Sequence, residues 1–172
     1  ITRVGFPLIA QLQTDKSRVR TVYLKTLNMT ASTNAPLFVF VAFFSPQVVR
    51  IVLGDKWIAA SDLLSLLAVW GYLRSTANPV GSLLLGMGRA DLSLKWNMAL
   101  VGIVPPLLWL GAQHGSMGVA WALLAFHAGV FIPIWYVLVR PLCEAGLVEY
   151  TTAALLPLLV ALVSIAPAYI LT

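Results

Sequence analysis

The stretch of residues 96–139 contains 44 consecutive residues without a single Asp, Glu, Lys or Arg. A helix needs about 20 apolar residues to cross the hydrocarbon core of a bilayer, which is about 30 Å thick. The stretch is therefore long enough for two membrane-spanning helices rather than one. The small residues between Gly111 and Gly118 predict the break, so we expect spans at about residues 96–111 and 117–139.

The remaining apolar segments predict three further spans, at about residues 26–52, 62–87 and 151–171. The composition agrees with this interpretation. Hydrophobic residues make up 60% of the chain and charged residues 10%, against about 45–50% and 25% in typical soluble domains. The sequence thus predicts an all-α integral membrane protein, a polytopic helical bundle of about five transmembrane helices, and excludes an ordinary soluble domain.

The distribution of basic residues predicts the orientation of the chain. If residues 1–25 are cytoplasmic, eight Lys and Arg residues lie on that side and two, Arg50 and Lys56, on the other. Because Lys and Arg are enriched in cytoplasmic loops, this asymmetry favours a cytoplasmic amino-terminal segment. The basic residues flank apolar runs and do not form one patch with aromatic residues, so we expect contacts with membrane lipids and none with nucleic acid.

The first residues lack a Met and the zones of a signal peptide, so we expect them to come from the inside of a longer protein. The polar residues 11–16 are typical of a loop, with Thr14 or Asp15 capping the next helix. The single cysteine, Cys143, excludes an intramolecular disulfide framework and a multi-cysteine metal cluster. We expect no metal site and no cofactor.

Arg74 is the first candidate for a functional residue, because it interrupts the apolar segment 62–87 near its middle. A charge at the centre of a bilayer costs roughly 2.5–3.5 kcal/mol on insertion scales, so such residues usually face a bundle interior or a watery cavity. Pro79 is expected to kink the helix and to free backbone groups nearby. Three polar residues are placed to satisfy those groups: Ser75, Asn78 and Ser82. The alternative is a purely structural arginine that pairs with polar groups between helices.

Other polar residues give weaker signals. His127 lies in a predicted span and is a candidate proton relay, although a neutral histidine that only forms hydrogen bonds is the commoner case. Glu144 and Glu149 lie outside the spans and do not predict paired-carboxylate catalysis. No nucleophile, base and orienting group occur together, so we expect no enzyme. The small residues of segment 115–120 predict close packing of helices.

Four segments of the sequence together resemble one family. They are ITRVGFP at residues 1–7, a polar loop with Asp15, Arg18 and Tyr23, LGDKW at residues 53–57, and LRSTANPVGSLL at residues 73–84. The pattern closely resembles the Wzx-type polysaccharide exporters, in particular the colanic acid exporter branch, over roughly residues 1–150. These exporters belong to the multidrug/oligosaccharidyl-lipid/polysaccharide superfamily.

The resemblance implies a transporter of two six-helix lobes that works by alternating access. Its substrate would be an undecaprenyl-pyrophosphate-linked oligosaccharide, flipped across the bacterial cytoplasmic (inner) membrane. The chain would be most of the carboxy-terminal lobe, and its partner the missing amino-terminal lobe. A pyrophosphate needs cationic donors, and Arg offers a planar fork for phosphate oxygens. The expected substrate site is therefore Arg74 with Ser75, Asn78 and Ser82, and the expected hinges are Pro79 and Pro36.

Three alternatives remain open at this point. A multidrug exporter of the same superfamily should carry carboxylates within the membrane, whereas all six acidic residues of this chain fall in or beside expected loops. A membrane glycan polymerase should have a longer outer loop than the short turn around Asp55. A membrane scaffold without transport activity would not need Arg74.

Overall fold

A computed structural model of the protein describes residues 15–170, with side chains as far as Ile165. These residues form helices joined by short turns and contain no β-strand, which confirms the predicted all-α membrane bundle. The helices are α1 (Lys16–Phe43), α2 (Ser45–Val52), α3 (Ser61–Thr76), α4 (Asn78–Gly86), α5 (Ala90–Ala112), α6 (Gly115–Ile134), α7 (Arg140–Cys143) and α8 (Leu147–Ile170). A 3₁₀-helix, Asp55–Ala60, precedes α3, and a π-helical turn, Trp135–Val139, joins α6 to α7.

Helix α1 begins before the apolar run does. The Asp15 carboxylate accepts hydrogen bonds from the backbone N–H groups of Ser17 and Arg18, both at 3.1 Å, so the predicted cap at Asp15 is confirmed. The expected polar loop through Arg18 and Tyr23 is wrong, because both residues lie in α1 and Tyr23 is fully buried. The other proposed cap, Thr14, lies outside the described residues, as does the first resembling segment.

The predicted first span, residues 26–52, does not follow one straight helix. Helix α1 continues through Pro36 and ends at Phe43, and α2 leaves it at an angle of 84°. The break falls at Phe44, two residues before Pro46, which occupies the first turn of α2 where a missing N–H has no cost. The large change of direction therefore lies eight residues after Pro36, at the end of the apolar run.

Three described helices are long and apolar enough to cross a membrane by length and composition: residues 90–112, 115–143 and 147–165. The bent pair α1–α2 makes a fourth if it counts as one span. The segment 62–87 is not among them, because it divides at Ala77 into α3 and α4. A crossing at 62–87, and hence the number of about five spans, stays a prediction.

The long helices pack as neighbours in the order α8, α1, α3, α6, α5. Small residues of α1, Ala31 and Ala35, are fully buried and allow α3 and α8 to approach from both sides. Across this layer the Tyr72 hydroxyl donates a 2.5 Å hydrogen bond to the Ala154 carbonyl, which joins α3 directly to α8. Helix α1 thus lies between α3 and α8 in the described bundle.

Helix α5 has no buried residue and depends on α6 for its position. The two helices meet where Gly111 lies against Gly118, so closely that a Cβ atom on Gly118 would overlap the Gly111 carbonyl oxygen. A Cβ atom on Gly111 would meet the Cβ of Ala122 at 3.0 Å. The predicted packing role of the small residues around Gly118 is confirmed.

Ion pairs join the start of α1 to the turn after α7 and to the first turn of α8. Lys16 Nζ lies 2.7 Å from a Glu144 carboxylate oxygen, and Arg20 pairs with Glu149. The Lys16 ammonium group, through its hydrogen bond and its charge, holds the pKa of Glu144 below its usual range. These contacts place both segments at the same end of the bundle, as the predicted orientation requires.

We predict that Gly118→Ala destabilises the protein, because the added methyl group cannot fit against the backbone of α5 without moving it. Overpacking of this kind costs about 1–3 kcal/mol. The measurement is the thermal unfolding midpoint of the full-length protein in detergent. Gly129→Ala is the matched control on the same helix, since a Cβ atom there meets nothing within 4 Å. Equal midpoints for the two variants would contradict the close contact.

We also predict that the Lys16–Glu144 ion pair makes stability depend on pH. Because the pKa of Glu144 is lowered in the folded state, the pair stabilises the fold above the usual glutamate pKa and loses this effect as the pH falls through the lowered value. The difference in unfolding midpoint between wild type and Glu144→Gln should therefore be largest at pH 7 and shrink toward pH 3. A difference that is constant with pH would argue against the pair.

Candidate substrate site around Arg74

Arg74 lies in the last turn of α3, thirteen residues after Ser61 begins the helix. At 1.5 Å per residue, this places it about 20 Å from that end, and α4 adds about 13 Å beyond it. Its side chain is exposed, and it forms no salt bridge with any residue that the structure describes. Its donors are therefore not taken by any carboxylate that the structure describes.

The α-helix that carries Arg74 is interrupted at Ala77, three residues after Arg74, because of Pro79. Pro79 occupies the first turn of α4, where its missing N–H costs least. Around the break, the Ala77 N–H bonds to the Arg74 carbonyl at 3.3 Å and the Val80 N–H to the Ala77 carbonyl at 3.2 Å. Both bonds join residues three apart, as in a 3₁₀-helix. One helix therefore ends at Thr76 and the next begins at Asn78. The interruption predicted near Arg74 is present, at Ala77.

The three polar residues expected to accompany Arg74 lie in different surroundings. Ser75 is buried, and its hydroxyl donates to the Tyr72 carbonyl at 2.7 Å. Ser82 is also buried, whereas Asn78 is exposed. None of the three lines the cavity that contains Arg74. The structure thus brings Arg74 to an opening on one face of the bundle, whereas the Ser75 hydroxyl bonds within its own helix. A substrate role for Ser75, Asn78 and Ser82 stays a prediction.

The cavity beside Arg74 has a volume of about 180 Å³ and lies between α3, α4, α5 and α6. Besides Arg74, its polar lining includes Ser93 and Asn97 from α5 and His127 from α6. No Asp or Glu lines it among the described residues. Neutral donors surrounding one cation are suited to an anion, because they add hydrogen bonds without a competing negative charge.

The contribution of α5 to this cavity was not expected from the sequence. Ser93 and Asn97 are four residues apart and therefore share one face of the helix, and the Asn97 amide donates to the Ser93 carbonyl at 2.8 Å. Two polar residues at this spacing at the start of an apolar helix were the available signal. Which helix they would face could not be deduced, because it depends on the Gly111–Gly118 contact at the far end of α5.

His127 holds a defined position in this cavity. The Trp70 indole N–H on α3 donates to His127 Nδ1 at 3.0 Å, and the two rings meet edge to face with centroids 5.6 Å apart. This contact fixes α6 against α3 one turn from Arg74. Trp70 was not singled out in the sequence, since a tryptophan in an apolar run has many ordinary packing roles.

A second cavity, of about 530 Å³, separates α1 from α8 and contains Pro36. Pro157 of α8 lines the same cavity, together with the polar side chains of Asn28, Ser32 and Ser164. The two prolines therefore lie on facing helices. A hinge role for Pro36, like that for Pro79, is a prediction about motion that one structure leaves open to experiment.

The fold and this site define a multi-pass helical membrane protein with a cationic cavity between its helices. Residues 1–62 match a family model described as "Polysaccharide biosynthesis protein". The whole chain is similar to the "Lipopolysaccharide biosynthesis protein WzxC" of Escherichia coli (strain K12), with 32% identity over 172 residues, 99% of this chain and 35% of the relative.

Two further relatives come from other bacteria. The "Teichuronic acid biosynthesis protein TuaB" of Bacillus subtilis (strain 168) is 37% identical over 122 residues, 70% of this chain and 25% of the relative. An "Uncharacterized membrane protein in cps region" of Klebsiella pneumoniae is 30% identical over 158 residues, 91% of this chain and 33% of the relative. No solved structure gives a significant match. These findings confirm that the chain is a relative of the Wzx-type polysaccharide exporters, and it spans a quarter to a third of the length of these relatives.

We predict that the Arg74 cavity contains water. In a background with the buried Cys143 replaced by Ala, Asn97→Cys should react with a small charged thiol reagent, because a thiolate forms only where the thiol is hydrated. Met98→Cys is the control at the same depth: its side chain is 65% exposed but lies outside the cavity lining, on the apolar surface of α5. Labelling of Met98→Cys but not of Asn97→Cys would show that the cavity is dry.

Proposed function

We propose that this chain is part of a transporter that moves an undecaprenyl-pyrophosphate-linked oligosaccharide across the bacterial inner membrane. The observation that carries the proposal is Arg74, a cation without a salt bridge among the described residues, beside a cavity whose lining includes the neutral polar residues Ser93 and Asn97. An arginine held in this way suits the diphosphate that links the glycan to its lipid. The names of the relatives connect them to lipopolysaccharide and teichuronic acid biosynthesis.

The proposed mechanism follows from the placement of the site beside a helix break. The diphosphate binds at Arg74 from the cytoplasmic side, with Ser93 and Asn97 as neutral donors, while the polyprenyl chain stays in lipid. The lobe formed by this chain and a second lobe, which we place in the amino-terminal part of the full-length protein, then rock against each other. The break at Ala77 lets α3 and α4 change their relative angle as the cavity opens to the other side.

Transport is favoured over the alternatives by the chemistry of the cavity. An exporter of cationic drugs would need a carboxylate where this cavity offers Arg74. A glycan polymerase would need catalytic groups in an outer loop, and the outer turn between α2 and α3 consists of the short helix Asp55–Ala60. We therefore propose that the protein acts as a carrier and not as an enzyme.

The proposal is tested by polysaccharide export in cells that lack their own exporter and express the full-length protein. Arg74→Ala should abolish export, and Arg74→Lys should retain part of it, because lysine keeps the charge and loses the bidentate fork. Arg50→Ala is the matched control, since it also removes one exposed arginine, but one that pairs with Asp55 at 2.8 Å in the outer turn. All variants are compared at equal membrane abundance.

The lipid-linked glycan in the same cells distinguishes transport from synthesis. With Arg74→Ala, the lipid-linked repeat unit should still be made and should accumulate in the cytoplasmic leaflet. Loss of the lipid-linked unit itself would indicate an enzyme of glycan assembly. Full export by Arg74→Ala would place the diphosphate site elsewhere.

A further inference from the structure

A single nitrogen of His127 has two neighbours that require opposite protonation states. The Trp70 indole N–H lies 3.0 Å from His127 Nδ1, and the Leu123 carbonyl oxygen lies 3.0 Å from the same atom. An indole N–H can only donate a hydrogen bond, and a carbonyl oxygen can only accept one. Nδ1 must therefore be unprotonated to bond Trp70 and protonated to bond Leu123, so the two bonds exclude each other.

The two bonds differ in what they connect. The Trp70 bond joins α6 to α3 and belongs to the neutral imidazole with its proton on Nε2. The Leu123 bond stays within α6 and is available to the charged imidazolium, which carries protons on both nitrogens. A proton added at Nδ1 thus replaces a contact between two helices by a contact within one helix.

Arg74 is the only other ionisable residue that lines the cavity with His127, among the residues that the structure describes. The residues that α4 and α5 contribute to the lining are apolar or neutral, including Ser93 and Asn97, and the neighbours on α6, Phe126 and Val130, carry no charge. In the empty site, the positive charge of Arg74 opposes a second positive charge on the ring. An anion that pairs with Arg74 removes this repulsion and attracts the ring charge instead.

We propose that His127 is a second anion-binding residue, neutral in the empty site and protonated when a diphosphate binds beside Arg74. This inference rests on the proposed function. The proton comes from water at the open cavity and binds to Nδ1. The ring then donates a hydrogen bond from Nδ1 to the Leu123 carbonyl, and the Trp70 indole N–H loses its acceptor. By thermodynamic linkage, proton binding and diphosphate binding strengthen each other. The α3–α6 contact is then released about two turns from the break at Ala77, where movement of the helices is proposed.

The test is isothermal titration of the full-length protein in detergent with farnesyl diphosphate, in buffers of different ionisation enthalpy. These buffers give the number of protons taken up for each molecule bound. We expect wild type to take up more protons for each molecule bound than His127→Gln, by up to one. Between pH 8 and pH 6, the affinity of wild type should increase about ten-fold more than the affinity of His127→Gln. Proton exchange by the ligand itself occurs in both proteins and cancels in the comparison. Inorganic pyrophosphate, titrated in parallel, separates the headgroup from the lipid tail.

Trp70→Phe gives a second test that does not require His127→Gln to fold. Without the indole N–H, nothing holds Nδ1 in its unprotonated form, so the pH dependence of binding should shift to higher pH. An unchanged pH profile in Trp70→Phe, or equal proton uptake by wild type and His127→Gln, would overturn the inference while the site at Arg74 stands. Equal binding by wild type and Arg74→Ala would instead contradict the proposed function.

Discussion

Because Pro79 has no backbone N–H, it cannot donate the hydrogen bond to the Ser75 carbonyl that a regular α-helix would have at this position. The chain leaves α3 at Thr76 and begins α4 at Asn78, so Arg74 occupies a helix end instead of the middle of a long helix. The carbonyl groups of that last turn carry partial negative charge, which favours a cation there. Helix α4, which follows the break, contacts α5 and lines one side of the cavity. The interruption, and with it the position of Arg74 at a helix end, depends on this one missing donor.

Much of the fold could be predicted from local chemistry. The cap at Asp15, the turn between α5 and α6 and the packing role of Gly118 each depend on residues close in sequence or on the absence of a side chain. The contacts of the basic residues at the start of α1 could not, because these residues suggested a solvated loop. Two of them, Lys16 and Arg20, lie on α1 and pair with glutamates more than 120 residues away.

The candidate site shows the same division. Arg74 could be found from the sequence because a charge in an apolar segment is rare, and the interruption followed from Pro79. The lining of the cavity beside Arg74 could not be found in this way. Helical geometry turns Ser75 about 100° away from Arg74, and its hydroxyl bonds to Tyr72 instead. The residues that do line the cavity come from α5 and α6, whose distance from Arg74 is set by packing between glycines and by the Trp70–His127 contact. The charge of Arg74 and the helix interruption at Ala77 depend on nearby residues in the sequence. The other residues of the cavity depend on how the helices pack.

The central claim is that Arg74 carries the headgroup of the substrate across the membrane. The most direct test is translocation in liposomes that contain the purified full-length protein, with a fluorescent short-chain polyprenyl-diphosphate oligosaccharide in one leaflet and a membrane-impermeant quencher outside. The account predicts that wild type moves the lipid between leaflets, that Arg74→Lys does so more slowly and that Arg74→Ala leaves it in place. Translocation by Arg74→Ala at the wild-type rate would contradict it.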